Sequence, residues 1–165
     1  MNVKKCKNCW IEDRKKDSYF CSYRCREIYE TEKKREKKEK EHGKVPYLAK
    51  KADSLWSEWI RKRDKECQVC FKNNNLNAHH IFGRTNSATR WDEENGICLC
   101  AGCHTFSIKM SAHKTPTDFT FFLESKMGRN KLEELSKKAH LVFELTPEYL
   151  KERIIYFNNI INNEK

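Results

Sequence analysis

The chain has 165 residues, 38% of them hydrophobic and 35% charged, enough for a modest core that needs some further staple. Its formal charge of +10 favours a polyanionic partner. No apolar run is long enough to cross a bilayer or form a secretory h-region, so a membrane partner is excluded and a cytoplasmic protein is expected. In a reducing compartment, cysteines at CxxC spacing read as zinc ligands rather than disulfides. Eight zinc-bound thiolates, less the four charges of two zinc ions, would leave a net charge of about +6, still basic.

Residues 1–43 open with Cys6-Lys-Asn-Cys9 and Cys21-Ser-Tyr-Arg-Cys25, four cysteines close enough to surround one tetrahedral zinc ion. Ser22 suits an N-cap, and the helix it starts would run through the charged stretch to His42, with Gly43 at C′. Glu30 with Lys34 and Glu36 with Lys40 are favourable i,i+4 pairs. Lacking an apolar stripe, this helix reads as a solvated spacer, with DNA contact the lesser alternative. Residues 44–66 hold a linker around Val45-Pro46 and an amphipathic helix. Its Leu48, Ala52, Leu55, Trp56, Trp59 and Ile60 recur at helical spacing and read as core. Arg61, Lys62 and Arg63 at its end are placed to touch phosphate.

Residues 67–113 are the most specific stretch. Cys67-Gln-Val-Cys70 and Cys100-Ala-Gly-Cys103 are two knuckles with 29 residues between them, a strong signal for a second structural zinc site. Cys98 shares strand parity with Cys100, but the CxxC geometry selects Cys100, and Cys98 reads as a small buried residue. A strand-like run, Leu76-Asn-Ala-His79-His80-Ile81-Phe82, is followed by a polar loop in which Arg84 and Arg90 are candidates for clamping phosphate. Asn95-Gly-Ile-Cys-Leu-Cys100 comes next, and His104 follows the second knuckle directly. Neighbours on a strand point to opposite faces, so two histidines at a strand end can divide labour, one reaching a metal and the other a water. His113, nine residues past His104, reads as structural or surface.

Residues 114–165 read as helices, with Thr115-Pro116 and Thr146-Pro147 as starts. Phe119, Phe122 and Leu123 mark one helix, ending near Gly128. Leu150, Ile154, Phe157 and Ile161 mark the last, a stripe suited to core or to a dimer interface. The expected fold class is α+β, mainly helical.

Asn95 lies fifteen residues after His80 and His104 nine after Asn95, and the set sits between two CxxC knuckles. Over residues 67–113 this resembles the HNH, or ββα-metal, endonucleases. The resemblance implies a small zinc-bound ββα-metal core flanked by helices, acting on DNA. It makes His79 and His104 ligands of a catalytic divalent ion, His80 the general base, and Asn95 a brace for the loop. Some members carry a further histidine one turn after the first, where this chain has Ile108. A site of only His79 and His104 leaves room for water and phosphate oxygens, which suits Mg²⁺ or Mn²⁺.

The whole layout carries a second resemblance. Cys6, Cys9, Cys21, Cys25, the segment Ile60 through Asp64, Cys67 and Cys70 resemble the arrangement in the phage NinG/Rap recombination proteins. That implies cutting of branched DNA such as Holliday junctions, with a homodimer to cut two strands. The Phe20-Cys-Ser-x-x-Cys25 portion also resembles treble-clef fingers of unrelated proteins. Two alternatives stand beside it: a less selective nicking or homing-type HNH enzyme, and a non-catalytic zinc-stapled nucleic-acid-binding protein.

Overall fold

The computed structural model describes residues 5–10 and 19–163, and the chain divides into two compact units, 1–47 and 48–165. In the first unit, α1 (Tyr23–His42) starts at an extended Ser22 whose Oγ accepts the Cys25 N–H at 3.2 Å. Satisfying an orphan donor of the first turn is what makes serine a good start here. The ion pairs resolved along α1 are Arg26–Glu30 at 2.8 Å and Lys33–Glu36 at 3.0 Å, each acid taking a base before it in the chain. Exposed pairs of this kind add little to stability, since water and salt screen them. Gly43 has φ −88°, so the helix ends without the left-handed C′ residue expected there. Only Gly43 and Lys44 separate α1 from α2 (Val45–Asp64), so the linker is shorter than its composition suggested.

The second unit is built on a hairpin. β1 (Leu76–His80) pairs antiparallel with β2 (Gly96–Cys100), bringing His79 opposite Ile97 and His80 opposite Gly96. Two strands alone are marginal and must be covered. Alternation assigns the covers. Gly96 meets α2: a Cβ there would lie 2.4 Å from Ile60 Cδ1 and 2.6 Å from Trp56 Cζ2. Ile97 and Leu99 turn the other way, into a core with Phe119 and Leu123 of α3 (Pro116–Met127). Glycine at 96 is therefore the condition for close helix–sheet approach on one face.

Trp56 and Trp59 of α2 are buried, as the helical stripe predicts. Their indole N–H groups donate to Asp92 O and Glu93 Oε2 at 2.8 and 2.9 Å, tying the 81–95 loop to the helix. All three residues of the basic triplet at the end of α2 have internal partners. Arg63 donates to the Glu93 and Gly96 carbonyls and pairs with Asp64, Arg61 reaches Ser57 Oγ, and Lys62 reaches the Ile161 carbonyl.

After β2 a single π-helical turn (Gly102–Phe106) carries His104, where a longer helix was expected. Gly128, at φ +85°, reverses the chain from α3 into α4 (Arg129–Ala139), a separate helix with Leu135 and Ala139 buried. In α5 (Pro147–Asn163), Leu150, Ile154 and Phe157 are buried within the chain itself, so the stripe is core. The fold is α+β and mainly helical, and no helix among the described residues is long and apolar enough to cross a membrane.

Candidate metal centre and its surroundings

Two four-sulfur groups could hold metal ions: Cys6, Cys9, Cys21 and Cys25, and Cys67, Cys70, Cys100 and Cys103. Within each group the sulfurs all lie within 4.8 Å of one another. Cys9–Cys21, Cys21–Cys25 and Cys70–Cys100 are 3.5, 3.3 and 3.6 Å apart. Four sulfurs at 2.3 Å from a tetrahedral zinc would sit about 3.8 Å apart, so the donor sets fit that ion. Backbone N–H groups already face some of the sulfurs: Cys21 N lies 3.4 Å from Cys6 Sγ, and Cys103 N 3.5 Å from Cys100 Sγ. Burial pushes the Cys70 and Cys103 thiols up. Burial also raises Cys100, but the Cys103 N–H and neighbouring sulfurs outweigh it and bring that thiol down to about 7. Cys98 stays outside both groups, fully buried, its N–H donating to Asp64 Oδ2 at 2.8 Å.

A third group has formed from imidazoles. His79, His104 and His113 each bring a ring nitrogen within 4.8 Å of the others, and His104 Nε2 and His113 Nε2 are 3.3 Å apart. Two nitrogens bound to one ion at 2.0–2.1 Å in tetrahedral geometry would be about 3.3 Å apart. The structure thus brings His113, read from the sequence as structural or surface, into the same group. That reading rested on a helix continuing past His104, and the helix does not continue. Ser107 turns extended (ψ 134°), and its Oγ accepts the N–H groups of Lys109 and Met110. The chain then folds back, with Ala112 N donating to Cys103 O at 2.9 Å and His113 N to His104 O at 3.3 Å. Ser111 Oγ, facing the N–H groups of His113 and Lys114, holds the return. Ile108 is 81% exposed, on the outside of this fold-back.

Burial, and behind it the neighbouring His104 and His113, push the His79 imidazole down to about 3. Burial and then His113 lower His104 as well. Both rings therefore offer neutral nitrogens at ordinary pH. His104 Nδ1 lies 3.3 Å from Thr105 Oγ1, which can take its proton and leave Nε2 as the ligand atom.

His80 faces the α2 side of the hairpin, its ring stacked on Trp56 at 3.8 Å. Its Nε2–H donates to the Arg90 carbonyl at 2.9 Å, an assignment forced by the acceptor, so Nδ1 carries the lone pair. Burial holds its pKa down near 4 despite the opposing pull of that carbonyl. Arg90 itself is clamped by Asp53, at 3.0 Å from Nε and 2.6 Å from Nη2, and lies over the Trp91 ring. Asp53 also accepts the Trp91 N–H at 2.9 Å. The guanidinium expected at phosphate thus positions the carbonyl that orients His80. Arg84 is exposed, and its charge lowers the pKa of both His80 and His104, so it lies where an anion would feel it.

Asn95 is fully buried between the ends of the loop. Its Oδ1 accepts the Phe82 N–H at 2.7 Å, while Nδ2 donates to the Phe82 and Thr89 carbonyls at 2.9 and 3.0 Å. It is a loop brace and makes no contact with the imidazole group. Asp53 and His113 are the site residues the sequence reading missed. Asp53 carried no motif signal, whereas the Ser107–Ser111–Thr115 series did hint at a capped fold-back. Comparison with protein-family models, with curated proteins and with solved structures finds no match to this chain.

Proposed function

We propose that the chain is a metal-dependent DNA endonuclease of the HNH type, hydrolysing phosphodiesters with one histidine base and one divalent ion. The observation that carries this reading is the pairing of three convergent imidazoles with a fourth, His80, whose ring has one nitrogen fixed and the other left as a base. The hairpin and the π-helical turn correspond to a shortened ββα-metal core, with zinc in each four-cysteine group. His79, His104 and His113 would hold the catalytic ion. An all-imidazole donor set suits Ni²⁺ or Zn²⁺ best and Mg²⁺ poorly, with Mn²⁺ the weakest-held of the first-row divalent ions, which changes the expectation drawn from two ligands alone. The bound ion would supply positive charge to the pentacoordinate transition state and to the departing 3′-oxygen.

The protein's own residues perform the rest. His80 Nδ1 removes a proton from the attacking water, and its Nε2–H bond to the Arg90 carbonyl favours the new imidazolium against the burial that disfavours it. Asp53, through Arg90, holds that carbonyl in place. Asn95 keeps the strand-to-loop junction from drifting. Arg84 and the basic surface attract the backbone phosphates. Branched DNA as the preferred substrate rests on the layout of the chain's cysteines. Hydrolysis of bis(p-nitrophenyl) phosphate tests the chemistry without any DNA. Activity should vanish with EDTA, return with Mn²⁺, and need several-fold more Mn²⁺ in His113→Ala. Hydrolysis indifferent to EDTA, or absent with every ion, contradicts the reading.

A further inference from the structure

Beside the imidazoles lies a cavity of about 570 Å³ onto which His79, His80 and His113 all open. Its walls are mostly apolar, formed by Phe82, Phe119, Leu123 and Leu132, with the carboxylates of Glu124 and Glu133 on the edge. Arg129 Nε fixes Glu133 at 3.1 Å. The volume is that of a ligand site, and nothing in the chemistry of phosphodiester cleavage itself calls for an apolar recess there. A phosphate or a sugar would lose hydrogen bonds on entering it, and although Arg129, also in the lining, offsets Glu133, Glu124 would repel a phosphate. The part of a nucleotide that gains from apolar walls is the face of its base, and a carboxylate accepts hydrogen bonds from exocyclic amino groups.

We propose that this cavity receives an unpaired nucleobase adjoining the scissile phosphate, so that the site acts on DNA where a base can leave the stack. The inference rests on the nuclease reading and names its substrate class. A paired, stacked base cannot enter such a recess without being extruded, so matched duplex is disfavoured, whereas bulges, flaps and junction points present a base at little cost. Phe119 has a double role, since its ring also packs edge-on against His79 at 5.4 Å, linking base entry to the ligand set.

The test is a binding measurement and needs no cleavage. Fluorescence anisotropy with the full wild-type chain, zinc-loaded and without added divalent ion, compares two otherwise identical duplexes. One carries a single-adenine bulge and the other the same bulge with an abasic tetrahydrofuran. The abasic DNA should bind at least fivefold more weakly, the range expected for loss of base–aromatic stacking. A smaller difference, or no measurable binding of either DNA, overturns the proposal. Leu132→Trp, which narrows the cavity, should bring the two affinities together; undiminished discrimination in that variant places the base elsewhere and overturns it too. The nuclease reading fails separately, through the bis(p-nitrophenyl) phosphate assay, whatever the two affinities are.

Discussion

His80 and His79 are neighbours in sequence with opposite surroundings, and the pleat of β1 is the reason. One ring stacks on a tryptophan of α2, while the other joins two imidazoles on the α3 side. The different roles proposed for them rest on that separation, since a ligand needs company and a base needs a free lone pair. The pKa of His80, held near 4 by burial, has a direct consequence. An ordinary imidazole near 6.5 is half protonated at that pH. Because the folded value is the lower one, the folded state holds fewer protons between pH 6.5 and 4. The stability from burying His80 neutral is complete above about 6.5 and is lost as pH falls toward 4. Titration of the imidazole signals by NMR should find the His80 ring still neutral at pH 5.5, and a midpoint near 6.5 would contradict its burial. At this scale His79, His80, Asn95 and His104 could be named because their spacing resembles that of the HNH endonucleases. Asp53 could not, because its role exists only through the carbonyl of a residue 37 positions away.

The elements show where periodicity is informative and where it is not. The stripe of α2 predicted its buried face, since burial of a long helix imposes a 3.6-residue pattern on the sequence. Between Cys103 and Thr115 no such pattern exists. The path there is set by side chain-to-backbone hydrogen bonds from Ser107 and Ser111, which leave a much fainter trace and hid His113. Gly96 was equally silent, although the approach of α2 to the hairpin depends on it. A methyl group at 96 would lie 2.4 Å from Ile60 and must displace that helix or the Ile60 side chain. Gly96→Ala is therefore expected to destabilise the second unit by about 1–3 kcal/mol, read as a lower urea midpoint, with an unchanged midpoint contradicting the packing. Release of strain by rotation of Ile60 is limited, because that residue is fully buried.

Across the whole molecule, the cysteines take the place of a larger hydrophobic core. The cluster around Ile97, Leu99, Phe119 and Leu123 includes the ligand candidates Cys67, Cys100 and Cys103, so the sulfur group and the apolar core are continuous. Removing a metal from that position would leave Cys67, Cys100 and Cys103 buried without the ion that ties them to one another. Elemental analysis of the purified chain should find two tightly held zinc ions, with any further ion at the histidines more easily exchanged. Stripping the tight zinc with a strong chelator should unfold the second unit, since structural zinc sites are worth on the order of 10 kcal/mol. Retention of native circular dichroism without zinc would contradict that role. The mainly helical α+β class was legible because it follows from composition and stripes. The helix count was not: the break near Gly128 was read, but α4 beyond it is mostly charged and buries only Leu135 and Ala139, too thin a stripe to mark a helix.

The central claim is that the imidazole group and His80 cut DNA together. Nicking of supercoiled plasmid by wild type and by His80→Ala, in Mn²⁺ and side by side, tests it most directly. Wild type should nick in an EDTA-sensitive manner, and the variant should be slower by about 10²–10⁴, the contribution of a positioned general base. Equal rates for the two proteins, or no nicking by either, would contradict that claim.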